Sequence, residues 1–170
     1  MRNYISVNAK YYKKAEINRI ASHNFRLSKI DYLIEKDHIK FENKNVIFQE
    51  NFNEAMHNLS NVDGEILLKK QFEKLLESRD KIQRKRNYHG NKKSNDLIEM
   101  VVALSEEQAL NYLENGVDLM AGFKNFAKDI YKKHGLKPIG ISLHLDEGNI
   151  KDNVTKLNIH AHLTFFNYHF

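Results

Sequence analysis

The residues whose type and spacing point most directly to chemistry are His144, His160 and His162, close to the end of the chain. In Ile139-Gly-Ile-Ser-Leu-His-Leu-Asp146 the aliphatics Ile139, Ile141, Leu143 and Leu145 alternate, so a strand here turns Ser142, His144 and Asp146 to the opposite face. In Leu157-Asn-Ile-His-Ala-His-Leu-Thr-Phe165 the same alternation sets Asn158, His160, His162 and Thr164 against an aliphatic face. The connector from Gly148 to Thr155 is rich in turn residues and suits a hairpin. If it folds about Asp152, His144 lies across from His160 with Cβ atoms about 5 Å apart, and His162 is two residues along the same face.

Neutral imidazole is a good ligand for Zn, Mn, Co, Ni and Cu ions, and three protein ligands with open positions describe a catalytic metal site. An H-x-H pair alone would often be two exposed side chains; the third histidine in phase favours a metal centre. Asp146 and Glu147 stand beside it as orienting groups, a general base or a further ligand, although Asp146 also reads as the polar start of a turn. Such a site serves hydrolysis, oxygen chemistry or phosphoryl transfer equally well.

Other elements must hold those strands. Tyr4-Ile-Ser-Val-Asn-Ala9 reads as a strand, and Lys13 to His23 as a helix with Ile17, Ile20 and Ala21 at helical spacing. Ile30 to Gln49 reads as irregular with weak strands such as Val46-Ile-Phe48. Ile66 to Lys81 has helical periodicity, and Leu97-Ile-Glu-Met-Val-Val-Ala-Leu104 has the near-continuous apolar character of a strand covered on both faces. Ser105 and Gln108 form a capping-box pattern for a helix that Asn115-Gly116 ends; a longer helix runs from Val117 to His134, with Gly135 as its stop. Pro138 marks entry into the next strand. The sum predicts an α+β fold, a mainly antiparallel sheet flanked by helices, in one domain over 1–170.

Composition narrows the chemistry. With 41% hydrophobic and 29% charged residues the chain has the make-up of a folded protein, and its 170 residues suit one core. No apolar run approaches the ~18 residues needed to span a bilayer and no signal-peptide core follows Met1, so the cytoplasm is the expected compartment. Cysteine is absent, which leaves His and carboxylates as metal ligands. The net charge of +5 is compatible with a polyanionic partner. Its densest basic stretch holds Arg79, Lys81, Arg84, Lys85, Arg86, His89, Lys92 and Lys93 around Tyr88 and is the candidate phosphate-binding segment; the plain alternative is a solvated helix end and loop.

His144-Leu-Asp-Glu147 followed by His160-Ala-His162 resembles the H-x-D-E...H-x-H motif of Mob/Pre-type (MobV) plasmid mobilisation relaxases, in the HUH endonuclease superfamily. Ser22-His23-Asn24-Phe25-Arg26 resembles the H-N-E-R block that follows the first strand and helix in that family, with Phe25 in place of the glutamate. The order of elements is also similar over most of the chain, Ile30 to Leu67 excepted. Core members have only about three residues between the two histidine motifs, so the connector here is longer. Relaxases generally continue past the second metal strand, so the resemblance implies a relaxase domain cut short at its C-terminus or a small variant.

The resemblance implies an HUH-like fold with the metal histidines on adjacent central strands, and site- and strand-specific nicking and transfer of plasmid DNA at a transfer origin. The partners would be single-stranded or supercoiled plasmid DNA, a coupling protein and accessory relaxosome proteins. His144, His160 and His162 would hold a divalent ion, Mn2+ first and Mg2+, Zn2+, Co2+ or Ni2+ as alternatives. His23 would be the nucleophile, Glu147 its proton acceptor or orienter, and Arg26 a phosphate ligand. Arg84, Lys85, Arg86, Tyr88, Lys92 and Lys93 would bind DNA. Most HUH enzymes use tyrosine, which keeps Tyr11, Tyr12 and Tyr88 as rival nucleophiles. A rolling-circle replication initiator and a non-catalytic, metal-containing DNA-binding module are the competing readings.

Overall fold

The computed structural model describes residues 4–49, 55–57, 59–85, 95–151 and 154–168. Its strands are β1 (Ile5–Tyr12), β2 (Lys44–Phe48), β3 (Ala55–His57), β4 (Leu97–Leu104), β5 (Lys137–His144), β6 (Gly148–Lys151), β7 (Val154–Leu157) and β8 (His160–Phe166). Its helices are α1 (Ile17–Asn24), α2 (Asn61–Lys85), α3 (Glu106–Glu114) and α4 (Leu119–His134). Six strands form one sheet in the order β1-β4-β8-β5-β2-β3, and every pair of neighbours is antiparallel. The fold is therefore α+β, with β8 and β5 at the sheet's centre. The connector between them is itself a small antiparallel ladder, β6 with β7.

Helices cover both faces at the centre, which is why every residue of β8 is buried. On one face Val102, Leu104, Ile141, Leu143, Ala161, Leu163 and Phe165 pack with Ala109, Met120, Phe123 and Ala127 of α3 and α4. On the other, Leu97, Ile139 and Phe166 pack with Ile17, Ile20, Ala21 and Phe25 around α1 and with Leu68, Phe72 and Leu75 of α2. The sheet is thus the middle of three layers.

Several expectations shift here. Ile139, expected on the face of Ile141 and Leu143, is turned to the α1/α2 side by a register irregularity between Pro138 and Gly140. Val46-Ile-Phe48 is no weak strand: it pairs with both β5 and β3 and is fully buried. α2 is longer than its periodicity predicts, because Ser60 caps it by accepting from the Asp63 N–H at 3.1 Å. Ser105 occupies the N-cap position of α3, yet its hydroxyl makes no cap bond and the Gln108 amide reaches the Tyr112 hydroxyl instead, so the capping box does not form. α4 begins at Leu119, where the Asp118 carboxylate accepts from the Met120 N–H at 3.0 Å, and ends at Gly135 in the left-handed region, φ 69°. No helix among the described residues is long and apolar enough to cross a membrane.

α1 carries His23 near its end, and a tight contact sets its position. Phe25, 1% exposed, lies over Gly64 in the first turn of α2, so a Cβ at Gly64 would clash with the edge of the Phe25 ring. Gly64→Ala should therefore lower stability by about 1–3 kcal/mol, outweighing the ~1 kcal/mol by which Ala favours a helix. Urea unfolding measures this, and a neutral or stabilising result would show that the α1–α2 approach is not fixed by this contact.

Candidate metal centre

The pairing of β5 with β8 sets His144 opposite His160 and Ser142 opposite His162, the register expected from the sequence. The imidazoles meet beneath α1: ring centroids are 5.2 Å apart for His144 and His160, 4.8 Å for His144 and His162, and 5.0 Å for His160 and His162. All three are buried. His23, half-buried at the end of α1, closes the group from above, 5.1 Å from His162 and 5.9 Å from His144 by ring centroid.

Each of the three buried rings is held by one nitrogen. His144 Nε2 lies 3.0 Å from the Asn24 carbonyl, His160 Nδ1 2.8 Å from the Asn158 carbonyl, and His162 Nδ1 2.9 Å from Glu99 Oε1. These oxygens only accept, so the three nitrogens donate. That leaves His144 Nδ1, His160 Nε2 and His162 Nε2 with lone pairs facing inward.

Two observations show that these residues fit a metal ion. His160 Nε2 and His162 Nε2 are 3.1 Å apart. Two such lone pairs repel, whereas metal–nitrogen bonds of about 2.1 Å at right angles would place the nitrogens about 3 Å apart. In addition, His144 Nδ1 is buried without a hydrogen-bond partner. Glu147 faces the same space, with Oε1 3.4 Å from His144 Nδ1 and Oε2 3.6 Å from His160 Nε2. The ligand atoms that lie within 4.8 Å of one another form two sets, His23 with His144 and His162, and His144 with Glu147 and His160. The trio expected from the sequence is thus divided between two sets that share His144, and both Glu147 and His23 stand at ligand distance. These buried His and Glu groups could hold a metal ion.

The electrostatics keep the donors unprotonated. Burial holds His144 at about 4, well below its ordinary 6.5, and pushes His160 and His23 down as well. Burial alone would raise Glu147, but His144, His160 and Arg26 outweigh it and hold the carboxyl at about 2. Glu99 is likewise kept low: burial opposes its charge, and the hydrogen bond from His162 with that from Asn24 prevails.

Arg26 adopts φ 57°, unusual for a residue with a Cβ. Its side chain is buried and forks onto Asp146, with Nη2–Oδ1 2.5 Å and Nε–Oδ2 3.1 Å, while Nη1 approaches Glu147 Oε1 at 2.7 Å. Asn43 also holds Asp146 and accepts from the Leu145 N–H at 2.7 Å. The guanidinium that the resemblance assigns to a phosphate is therefore engaged with two carboxylates, which it aligns, and Asp146 is a partly buried structural partner outside the metal sets.

Glu99 joins the site unforeseen. Asn24, part of the matched block after His23, acts through its carbonyl on His144 and its amide on Glu99 and Thr164, contacts that no sequence pattern reveals. Glu99 left one signal, a carboxylate inside an otherwise apolar strand. Of the expected DNA-binding residues, Arg84 and Lys85 sit in the last turn of α2, whereas Arg86, Tyr88, Lys92 and Lys93 lie outside the described residues. Arg79 in the same basic stretch is buried against Asp96 and over the Phe166 ring, so it serves the core. Tyr11 pairs with Ile98 and faces away from the histidines; Tyr12 pairs with Leu97, four residues or roughly 13 Å along β4 from the row of His162; Tyr88 lies outside the described residues.

No protein-family model matches this chain, and no curated protein or solved structure is significantly similar to it.

If Glu99 orients His162 for a metal, Glu99→Ala should weaken Mn2+ and Zn2+ binding by about 10–100-fold in calorimetric titration, and unchanged affinity would remove Glu99 from the centre. The metal-free protein should also lose stability on acidification. His144 takes up its proton near 6.5 when unfolded but near 4 when folded, so stability drops as pH falls through that interval. Glu147, shifted from 4.5 to about 2, adds a further loss as pH falls below 4.5. Thermal melts in chelator across pH 7 to 4 read this, and His144→Gln should flatten the upper part of the profile.

Proposed function

We propose that the protein is an HUH-type DNA relaxase: it nicks one strand of plasmid DNA at a transfer origin and remains attached to the new 5′ end for later strand transfer. The observation that carries this reading is the position of His23. Singled out by its Ser-His-Asn-x-Arg context, it lies over the buried His144, His160 and His162, half exposed and with its proton affinity lowered by burial. A nucleophile must be unprotonated and accessible, and His23 meets both conditions. The antiparallel sheet with both histidine strands at its centre also agrees with the resemblance.

In this mechanism a ring nitrogen of His23 attacks the scissile phosphorus, the bond to the 3′ oxygen breaks, and that oxygen takes up a proton and leaves as a hydroxyl. The phosphoramidate preserves the energy needed to rejoin the strand. A divalent ion, Mn2+ by the resemblance, supplies positive charge for the phosphate oxygens when bound. Glu147, held anionic, is better suited to ligate that ion than to accept a proton at neutral pH, and Arg26 fixes its carboxylate. Arg84 and Lys85, at the end of α2, would meet DNA phosphates together with the basic segment that follows.

One observation favours a second reading. His23 belongs to a ligand set with His144 and His162, so it could be a metal ligand in a non-catalytic, DNA-binding module. A supercoiled plasmid carrying the transfer origin of the protein's own element separates the two. With Mn2+, wild type should nick it and form an acid-labile covalent adduct, His160→Ala should lose metal and nicking together, and His23→Ala should bind Mn2+ yet leave the plasmid intact. Loss of metal from His23→Ala would support the ligand role instead, and acid-stable label on a tyrosine would exclude His23 as nucleophile.

A further inference from the structure

The strand register extends the site sideways. On the face that carries the histidines, His162 pairs with Val101 and Val101 with Asn8; His160 pairs with Ala103 and Ala103 with Ser6. A third row runs Thr164, Glu99, Lys10. Ser6, Asn8 and Lys10 are exposed, and Val101 and Ala103 are partly exposed. From the buried imidazoles the sheet therefore opens into a floor two strand spacings wide, about 10 Å, that ends at the free edge of β1.

Among the described residues the other sides of the site are occupied. Beyond His144 stand the ion-paired Arg26 and Asp146 and the buried Glu147, and toward the far end of the sheet α1 and α2 cover Leu97, Ile139 and Phe166. The floor's charge is compatible with a phosphodiester. Of the residues of β1 and β4 on this face, Glu99 alone has a carboxylate, and it is buried and bound by His162 and Asn24. Lys10, exposed on this face, closes the floor; Lys13 and Lys14 follow it in the chain, while Arg19 is paired with Glu16. The side chains are small and uncharged nearest the histidines, where a backbone must come close.

We infer that this β1–β4 floor is the track by which a single-stranded polynucleotide reaches the site, its phosphates passing over Ser6, Asn8, Val101 and Ala103 toward His23. The inference rests on the proposed strand-nicking function and adds the direction of approach and the residues that line it. A single strand suits the floor because a flat sheet face lets its backbone lie close without a duplex's width.

Alternation along β1 supplies a matched control, since Asn8 faces the floor and Ala9, its exposed neighbour, faces away. With a fluorescein-labelled oligothymidylate strand at low salt, Asn8→Glu should raise Kd roughly tenfold or more, because a carboxylate would oppose the phosphates at contact distance. Asn8→Lys should bind at least as tightly as wild type. Ala9→Glu, with the sheet between its charge and the strand, should stay within about twofold. Equal Kd values for Asn8→Glu and Ala9→Glu would overturn the track, as would weakened Mn2+ binding by Asn8→Glu, which would trace the loss to the metal centre. Failure of wild type to bind the strand would remove the track, and plasmid nicking by that same wild type would show that the nicking function stands without it. If wild type nicks plasmid and Asn8→Glu binds and nicks equally well, the track alone is wrong.

Discussion

Antiparallel pairing of β5 with β8 in the register His144 to His160 is the constraint on which the site depends. Because side chains alternate along a strand, a slip of one residue would turn His144 into the α3/α4 core and bring Leu143 or Leu145 to the metal side. The register is protected by what lies opposite. Ile141, Leu143, Ala161 and Leu163 are essentially excluded from water, so any slip would set them against the buried carboxylates and bury imidazoles in a hydrocarbon layer. The β6–β7 ladder then holds the two strands' ends together, with the Asn158 N–H on the Glu147 carbonyl at 2.8 Å, and fastens its base to α3 through the Leu157 N–H and Glu106.

Within that frame the site gathers groups that would be costly alone. Four imidazoles and two carboxylates share one side of the sheet's centre, with few waters' width between them. Burial suppresses protonation of His144, His160 and His23, while Glu99 and Glu147 stay ionised because histidines and Arg26 surround them. A buried carboxylate with unprotonated imidazoles aimed beside it is an arrangement that could hold a cation. Stability alone would favour apolar side chains of similar size at these positions. The polar cluster is better understood as held in place by the three-layer core than as contributing to it.

Arg26 shows how the site is locked from outside. It follows a helix that ends at Asn24, enters the left-handed region, and from there reaches Asp146 and Glu147 across the sheet. The same short stretch delivers the Asn24 carbonyl to His144, the Asn24 amide to Glu99 and Thr164, and Phe25 to the α1–α2 core. Four consecutive residues, His23 to Arg26, thereby tie α1 to three strands.

Strand alternation made the histidine cluster readable from sequence, because phase in a strand is a local property: once Leu143 and Ile159 must face a core, His144 and His160 face the other way. Helix stops at Gly116 and Gly135 were readable for the same reason, since a positive φ is a demand on one residue. The turn of Ile139 to the other face was not, because a bulge is decided by packing on both sides of the sheet. Nor was the length of α2, whose first turn is stabilised by Ser60 and by contact with Phe25 rather than by periodicity. The sequence by itself determined which imidazoles share a face and that two strands carry them. The tertiary structure alone decided that Glu99 and the Asn24 carbonyl reach those rings and that Arg26 faces Asp146, because these contacts join residues 63 to 120 positions apart.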